Sequence, residues 1–193
     1  DLVLIAGDIY KNRQPNPTHQ REFARRIIRL RQEDIPIFIL TGNHDMPPAY
    51  GRAHSVAIFH ELGIPGVTVA DRPRLHRIET RNGPVQIIAI PWITRQTLLT
   101  KEDLRLASFS EIESMLRQRI ETFIEHKAAE LDPTIPAILA WHGTVDGAQP
   151  GAERGMTLGQ DLVLTRSTLA QPNIDYIALG HIHKHQHFGS QPP

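Results

Sequence analysis

Aspartate, asparagine and histidine recur in four short motifs that also carry glycine: Gly7-Asp8, Gly42-Asn43-His44-Asp45, His142-Gly143 and Gly180-His181-Ile182-His183. Together they offer a mixed set of oxygen and imidazole donors, which suits Mn, Fe, Zn or Ni better than Ca, whose sites are built from oxygens. A carboxylate with ligands on either side is the usual means of holding two ions roughly 3.5–4 Å apart for in-line attack on phosphate. His181 and His183 stand two apart, so an extended segment points both imidazoles to one side, toward neighbouring ions. The glycines permit tight turns and close backbone approach, letting several short side chains converge on one small object. Singly, each motif has a plainer reading: Gly-Asp after a strand is commonly a turn, and a lone His142 is a strand-end histidine. All four together, each at the end of an apolar run, point to a metal site.

The elements that must position these motifs are legible in the apolar pattern. Leu2 to Ala6, Pro36 to Leu40 and Pro136 to Ala140 are short continuous apolar runs, the pattern of strands buried on both faces, Ile174 to Leu179 reads as the last apolar strand, and each leads into one of the four motifs. In open α/β sheets, ligands gather outside the carboxyl ends of strands, so the four tips can meet at one site. Thr18 is placed to cap a helix running to about Asp34, with Phe23, Ile27 and Leu30 at the 3.6-residue period and Ala24 and Ile28 beside them. Ala53 to Leu62 reads as a helix stopped by Gly63, and Ser110 to Glu130 as a long helix with Ile112, Met115, Leu116, Ile120, Phe123 and Ile124 on its apolar face. Val67 to Ala70, Leu75 to Glu79 and Val85 to Ile90 read as strands of an antiparallel stretch, with Asn82-Gly83 a tight hairpin turn. Residues 143–160, rich in glycine and polar side chains, read as a loop. Alternating strands and helices predict an α/β layered fold, mixed β-sheets flanked by helices.

The ordered motifs Gly7-Asp8, Gly42-Asn43-His44-Asp45, His142 and Gly180-His181-Ile182-His183 are similar to the signature of calcineurin-like metallophosphoesterases. Within that superfamily the chain resembles the nuclease subunits of SbcCD-type DNA exonucleases. The closer resemblance rests on His142-Gly-Thr-Val-Asp-Gly-Ala148, on Asp175-Tyr-Ile-Ala-Leu-Gly-His-Ile-His183, and on the length and order of the segments between motifs.

The resemblance implies that Asp8 bridges two divalent metal ions, with Mn²⁺ the working metal. Asn43, His142 and His181 would complete one metal site and His183 would bind the other ion. His44 would sit near the scissile phosphate, stabilising charge or protonating the leaving oxygen, with Asp45 orienting its ring. It implies a binuclear phosphodiesterase acting as a DNA exonuclease or endonuclease at DNA ends, in double-strand break processing and recombination. Its partners would be DNA and an SMC-like ATPase subunit of the SbcC type, assembled as a homodimer within a heterotetramer. The family's first motif, Asp-x-His at the end of an earlier strand, would precede Asp1. One metallophosphoesterase domain over 1–193 is therefore expected, as a piece of a longer reading frame lacking the first strand and an accessory region, with one metal site incomplete. The metal motifs do not encode the substrate. A small-molecule phosphodiesterase or phosphatase of the same superfamily, or a non-catalytic scaffold of this fold, remains an alternative.

Composition narrows the setting. Of 193 residues, 21 are basic and 21 acidic, 40% are apolar and none is cysteine. Disulfides and thiolate metal sites are excluded, and a reducing compartment such as the cytoplasm is expected. No run approaches the roughly 20 apolar residues that cross a bilayer, so no membrane association is expected. Balanced charge rules out a whole-surface grip on nucleic acid. A local excess exists between Lys11 and Arg31, where seven basic residues face one acid, Glu22. Lys11, Arg13, Arg21 and Arg25 are candidate phosphate-backbone contacts, with a solvated helix face as the plainer reading. His185 and His187 continue the alternation of His183 without an implied ligand role. Trp92 and Trp141 are expected to pack, the first at the rim of the site and the second on the strand face opposite His142.

Overall fold

In the computed structural model, residues 1–47, 52–94, 108–149 and 161–189 are described. The continuous apolar runs form strands because a strand covered on both faces has no polar side to alternate with. Strand β1 (Val3–Ile5) pairs in parallel with β2 (Ile37–Leu40), and β2 in parallel with β3 (Val67–Ala70), making a three-stranded sheet in the order β1-β2-β3. A second sheet has the order β4-β5-β6-β9: β4 (Arg74–Thr80), β5 (Gly83–Ile90), β6 (Ala137–His142) and β9 (Tyr176–Gly180). In it β4 and β5 are antiparallel, while β5, β6 and β9 run parallel. A third, minimal sheet pairs β7 (Thr144–Val145) with β8 (Val163–Leu164). The expected mixed α/β architecture is thus present, with two corrections. β3 joins the first sheet in parallel rather than the antiparallel stretch. The hairpin turn consists of Arg81 and Asn82, with Thr80 opposite Gly83, which opens β5 at φ +112°.

Alternation across the central strands sorts the core into layers. Phe38, Leu40 and Ala70 of the first sheet meet Ile87, Ala89, Ala140 and Ala178 of the second, and the alanines leave room for the larger side chains. The opposite face of the first sheet, Ile37, Ile39 and Val69, is covered by α1 (Pro17–Gln32) through Ile27 and Phe23 and by α2 (Ala57–Glu61) through Phe59. The outer face of the second sheet, Ile88, Ile90, Leu139 and Trp141, packs under α3 (Phe109–Ala129) and α4 (Arg166–Leu169). Helix α3 is started by a capping box of Ser108 and Glu111. It buries Ile112, Leu116, Ile120, Ile124 and Ala128, a four-residue repeat that keeps one stripe on the sheet. Each fully buried isoleucine there contributes roughly 1.5–3 kcal/mol.

Two helix boundaries differ from expectation. α1 is capped by Asn16, whose Oδ1 accepts the Thr18 amide at 2.7 Å, because Pro17 takes the first helical position, where a missing N–H is harmless. Ile28 of this helix is exposed rather than packed. α2 is shorter than the predicted 53–62, since the Ser55 amide donates to the Asp45 carbonyl at 2.9 Å and ties that segment to the loop after β2. Part of the predicted loop, residues 150–160, lies outside the described residues.

Candidate metal centre

The carboxyl ends of β1, β2, β6 and β9 bring Asp8, Asn43, His44, His142, His181 and His183 to one place. Directly after β1 the chain turns through Gly7 (φ +93°) and Asp8 (φ +54°), the latter in a left-handed conformation that Asp tolerates better than most residues. A Cβ on Gly7 would run into the His142 ring, so the bare backbone is what lets imidazole and turn lie together. Asp45 holds the turn. Fully buried, its carboxylate accepts the amides of Asp8 (2.9 Å), Ile9 (3.1 Å) and Gly42 (2.9 Å), clamping the loop after β1 to the loop after β2. Burial pushes the Asp45 carboxyl above its ordinary range and the Asp8 charge adds to this, against the pull of the Gly42 and Asp8 amides.

That geometry corrects one expectation. Asp45 does not orient the His44 ring, because its oxygens are committed to backbone amides that would otherwise be left unpaired. The ring is held instead by Lys11, whose carbonyl lies 2.7 Å from Nδ1. The Nδ1–H donates there, and Nε2 is the nitrogen left for a substrate.

The centre itself is rich in acceptors. Asp8 Oδ1 accepts the His44 amide at 2.9 Å, while Oδ2 is buried without a hydrogen-bond partner, 3.4 Å from His142 Nε2 and 3.5 Å from His183 Nε2. His142 donates its Nδ1–H to the Ala6 carbonyl at 2.6 Å, so Nε2 presents a lone pair, 3.1 Å from Asn43 Oδ1. His181 places Nδ1 2.9 Å from the same Asn43 oxygen and Nε2 2.9 Å from Asp161 Oδ2. Donor atoms of Asp8, His142 and His181 all lie within 4.8 Å of one another. Lone pairs gathered in a buried space repel unless a cation stands among them, and the oxygen and imidazole composition fits a borderline divalent ion. Burial opposes ionisation of Asp8, yet the imidazoles of His142 and His44 beside it, with the His44 amide on Oδ1, hold its pKa down to about 2. Its Oδ2 therefore faces the centre as an anion.

The remaining candidates are less central. His183 is 44% exposed at the outer side, its ring centroid 6.2 Å from that of His44. Trp92 packs against the rim, 5.0 Å from the His181 ring, and Trp141 is buried in the core on the far face. Lys11 and Arg13 are exposed on the loop after β1 that carries the carbonyl holding His44. Arg21 and Arg25 stand on α1 with Arg26 around Glu22, at 3.5, 2.8 and 3.3 Å, all exposed. His185 and His187 pack on each other at 4.8 Å. Asp161 was not foreseen from the sequence, where it lies in a polar stretch without a motif.

The sequence profile of the calcineurin-like phosphoesterases matches residues 1–185. The chain belongs to that family. Among curated relatives, it is 24% identical over 194 residues to the SbcD subunit of the nuclease SbcCD from Escherichia coli K12, a match covering 98% of this chain and 48% of the relative. The same protein of Escherichia coli O157:H7 matches equally. The chain spans about half the length of the curated relatives it matches. Among solved structures, the phosphopantetheinyl hydrolase of Mycobacterium tuberculosis superposes with a TM-score of 0.48 at 15% identity, over 95% of this chain and 73% of that one. A phosphoesterase of this family is a hydrolase that uses divalent metals. Among the described residues no helix is long and apolar enough to cross a membrane.

Proposed function

We propose that this phosphoesterase is a Mn²⁺-dependent DNA nuclease that hydrolyses phosphodiester bonds at DNA ends in break processing and recombination. The observation that carries the hydrolytic half of this reading is the convergence of Asp8 Oδ2, Asn43 Oδ1, His142 Nε2 and His181 Nδ1, a cluster of carboxylate, amide and imidazole ligand atoms that includes an orphaned carboxylate oxygen. Similarity over nearly the whole chain to a nuclease subunit favours DNA over a small phosphoester.

Asp8, Asn43, His142 and His181 would hold one ion, and Asp8 with His183 would contribute to a second. When bound, such ions supply Lewis acidity and activate water for attack on phosphorus. Asp8 would supply the negative charge that holds such ions, and Asp45 fixes the turn that carries it by accepting the Asp8 amide. His44 takes its place beside the phosphate: the Lys11 carbonyl retains the Nδ1 proton and fixes the ring, and the imidazolium form gives its Nε2 proton to the departing oxygen, leaving the neutral ring with its proton on Nδ1. Lys11 and Arg13, exposed on the loop whose Lys11 carbonyl holds the His44 ring, would serve as backbone contacts together with Arg21 and Arg25 of α1. The chain acts as one domain over 1–193, in the cytoplasm, as a homodimer joined to an SMC-like ATPase of the SbcC type.

The test is turnover of duplex DNA and of a phosphomonoester by the full-length protein with Mn²⁺, alongside His44→Ala. DNA cleavage that falls by about 100-fold or more in the variant while Mn²⁺ affinity holds is the expected result. Undiminished cleavage in His44→Ala would remove its role. Phosphomonoester turnover without DNA cleavage would replace the nuclease with a phosphatase.

A further inference from the structure

We propose that Asp161 is the positioning residue that sets the tautomer of His181, so that His181 offers Nδ1 to the centre while His142 offers Nε2. The inference rests on the metal reading above and deepens it. His181 leaves β9 in a left-handed conformation, φ +86°, outside the regular backbone that fixes most side-chain directions. Its ring lies between two acceptors, Asn43 Oδ1 at 2.9 Å from Nδ1 and Asp161 Oδ2 at 2.9 Å from Nε2. A neutral imidazole has one N–H and can serve only one of them.

If the proton sat on Nδ1, it would bond to Asn43, and both His181 and the asparagine oxygen would be lost as ligands. With the proton on Nε2, both lone pairs stay free. Asp161 decides between the two because a hydrogen bond to a carboxylate is roughly twice as strong as one to a neutral amide. The side chains are 3% and 12% exposed, so little water competes.

The placement of Asp161 is itself built. It lies two residues before β8, which pairs with β7 through Thr144 and Val163, and the Thr144 hydroxyl donates to Asp161 Oδ2 at 3.3 Å. The two-residue sheet thus sets this carboxylate beside β6 and β9, where no part of the four motifs could supply one. His142 reaches the complementary tautomer by a different device, the Ala6 carbonyl on Nδ1.

Two readouts on the full chain test this. In the metal-free protein, long-range ¹H–¹⁵N correlation of the imidazoles should show His181 with its proton on Nε2, and Asp161→Ala should move the proton to Nδ1. Asp161→Asn, which keeps an acceptor oxygen, should retain the Nε2–H form. By calorimetry, Asp161→Ala should weaken Mn²⁺ binding about 10–100-fold, the usual effect of losing an outer partner of a ligand, and Asp161→Asn should recover most of it. An Nδ1–H tautomer in the unsubstituted protein, or Mn²⁺ affinity unchanged by Asp161→Ala, overturns the assignment alone. Failure of the unsubstituted protein to bind Mn²⁺ overturns the metal reading and this role with it.

Discussion

Removing the Asp45 carboxylate should destabilise the metal-free protein severely. The side chain is fully buried and accepts three amides, from Asp8, Ile9 and Gly42, with the Ser55 hydroxyl at 3.4 Å as a fourth contact. In Asp45→Ala, each amide loses its partner at about 1–3 kcal/mol. Relief of the desolvated carboxylate, whose burial already pushes its pKa up, offsets part of that loss. A net loss of about 3–5 kcal/mol is expected, a large share of the roughly 5–15 kcal/mol that holds a domain together. Asp45→Asn separates the contributions. Its one oxygen can keep the Asp8 and Gly42 amides that share Oδ2, while its NH₂ meets the Ile9 amide donor to donor, so about 1–3 kcal/mol is lost. Urea unfolding without metal at pH 7 reads both, and with a slope of about 2 kcal/mol/M the midpoint falls by about 2 M for alanine and about 1 M for asparagine. A midpoint within about 0.3 M of the unsubstituted protein for Asp45→Ala would refute the clamp. The side chain would then be free for the His44 ring after all.

The Tyr10 hydroxyl is buried without a hydrogen-bond partner, and burial with the nearby Asp45 charge pushes its pKa up to about 12. Tyr10→Phe should leave the melting temperature unchanged or raise it, since an orphaned hydroxyl is removed without a cavity; a loss above about 1 kcal/mol would show a missed partner. His76 is held below the ordinary 6.5, chiefly by burial and then by Arg74, and His54 likewise by burial against the pull of Asp71. The unfolded chain takes up these protons first, so stability is full above about pH 6.5 and is lost as pH falls below it. Denaturant midpoints across pH 5–8 should show that slope and a shallower one in His76→Phe; identical slopes would discount the His76 contribution.

The strands that end in chemistry are legible because each is rich in apolar residues, buried on both faces in β2 and β6, and a polar tip stands out against it. For that reason β1, β2, β6 and β9 are predicted in place, and with them the convergence of Asp8, Asn43, His44, His142, His181 and His183. What the pattern cannot carry is pairing between distant segments. Whether β3 joins β2 in parallel or the following hairpin depends on where α2 lies, and the length of α2 depends on an amide of residue 55 reaching a carbonyl of residue 45. Two of the Asp45 partners, the amides of Asp8 and Ile9, lie 37 and 36 residues back in the chain, whereas its neighbour His44 suggests itself by adjacency alone. Asp161 is hidden for the same reason, since a two-residue sheet leaves no periodic trace in the sequence.

A crystal structure of the full-length protein soaked in Mn²⁺, with anomalous scattering at the manganese edge, addresses the central claim most directly. An anomalous peak bounded by Asp8 Oδ2, Asn43 Oδ1, His142 Nε2 and His181 Nδ1, absent in Asp8→Ala, is the predicted result. No peak among these four atoms, or one that persists in Asp8→Ala, would contradict it.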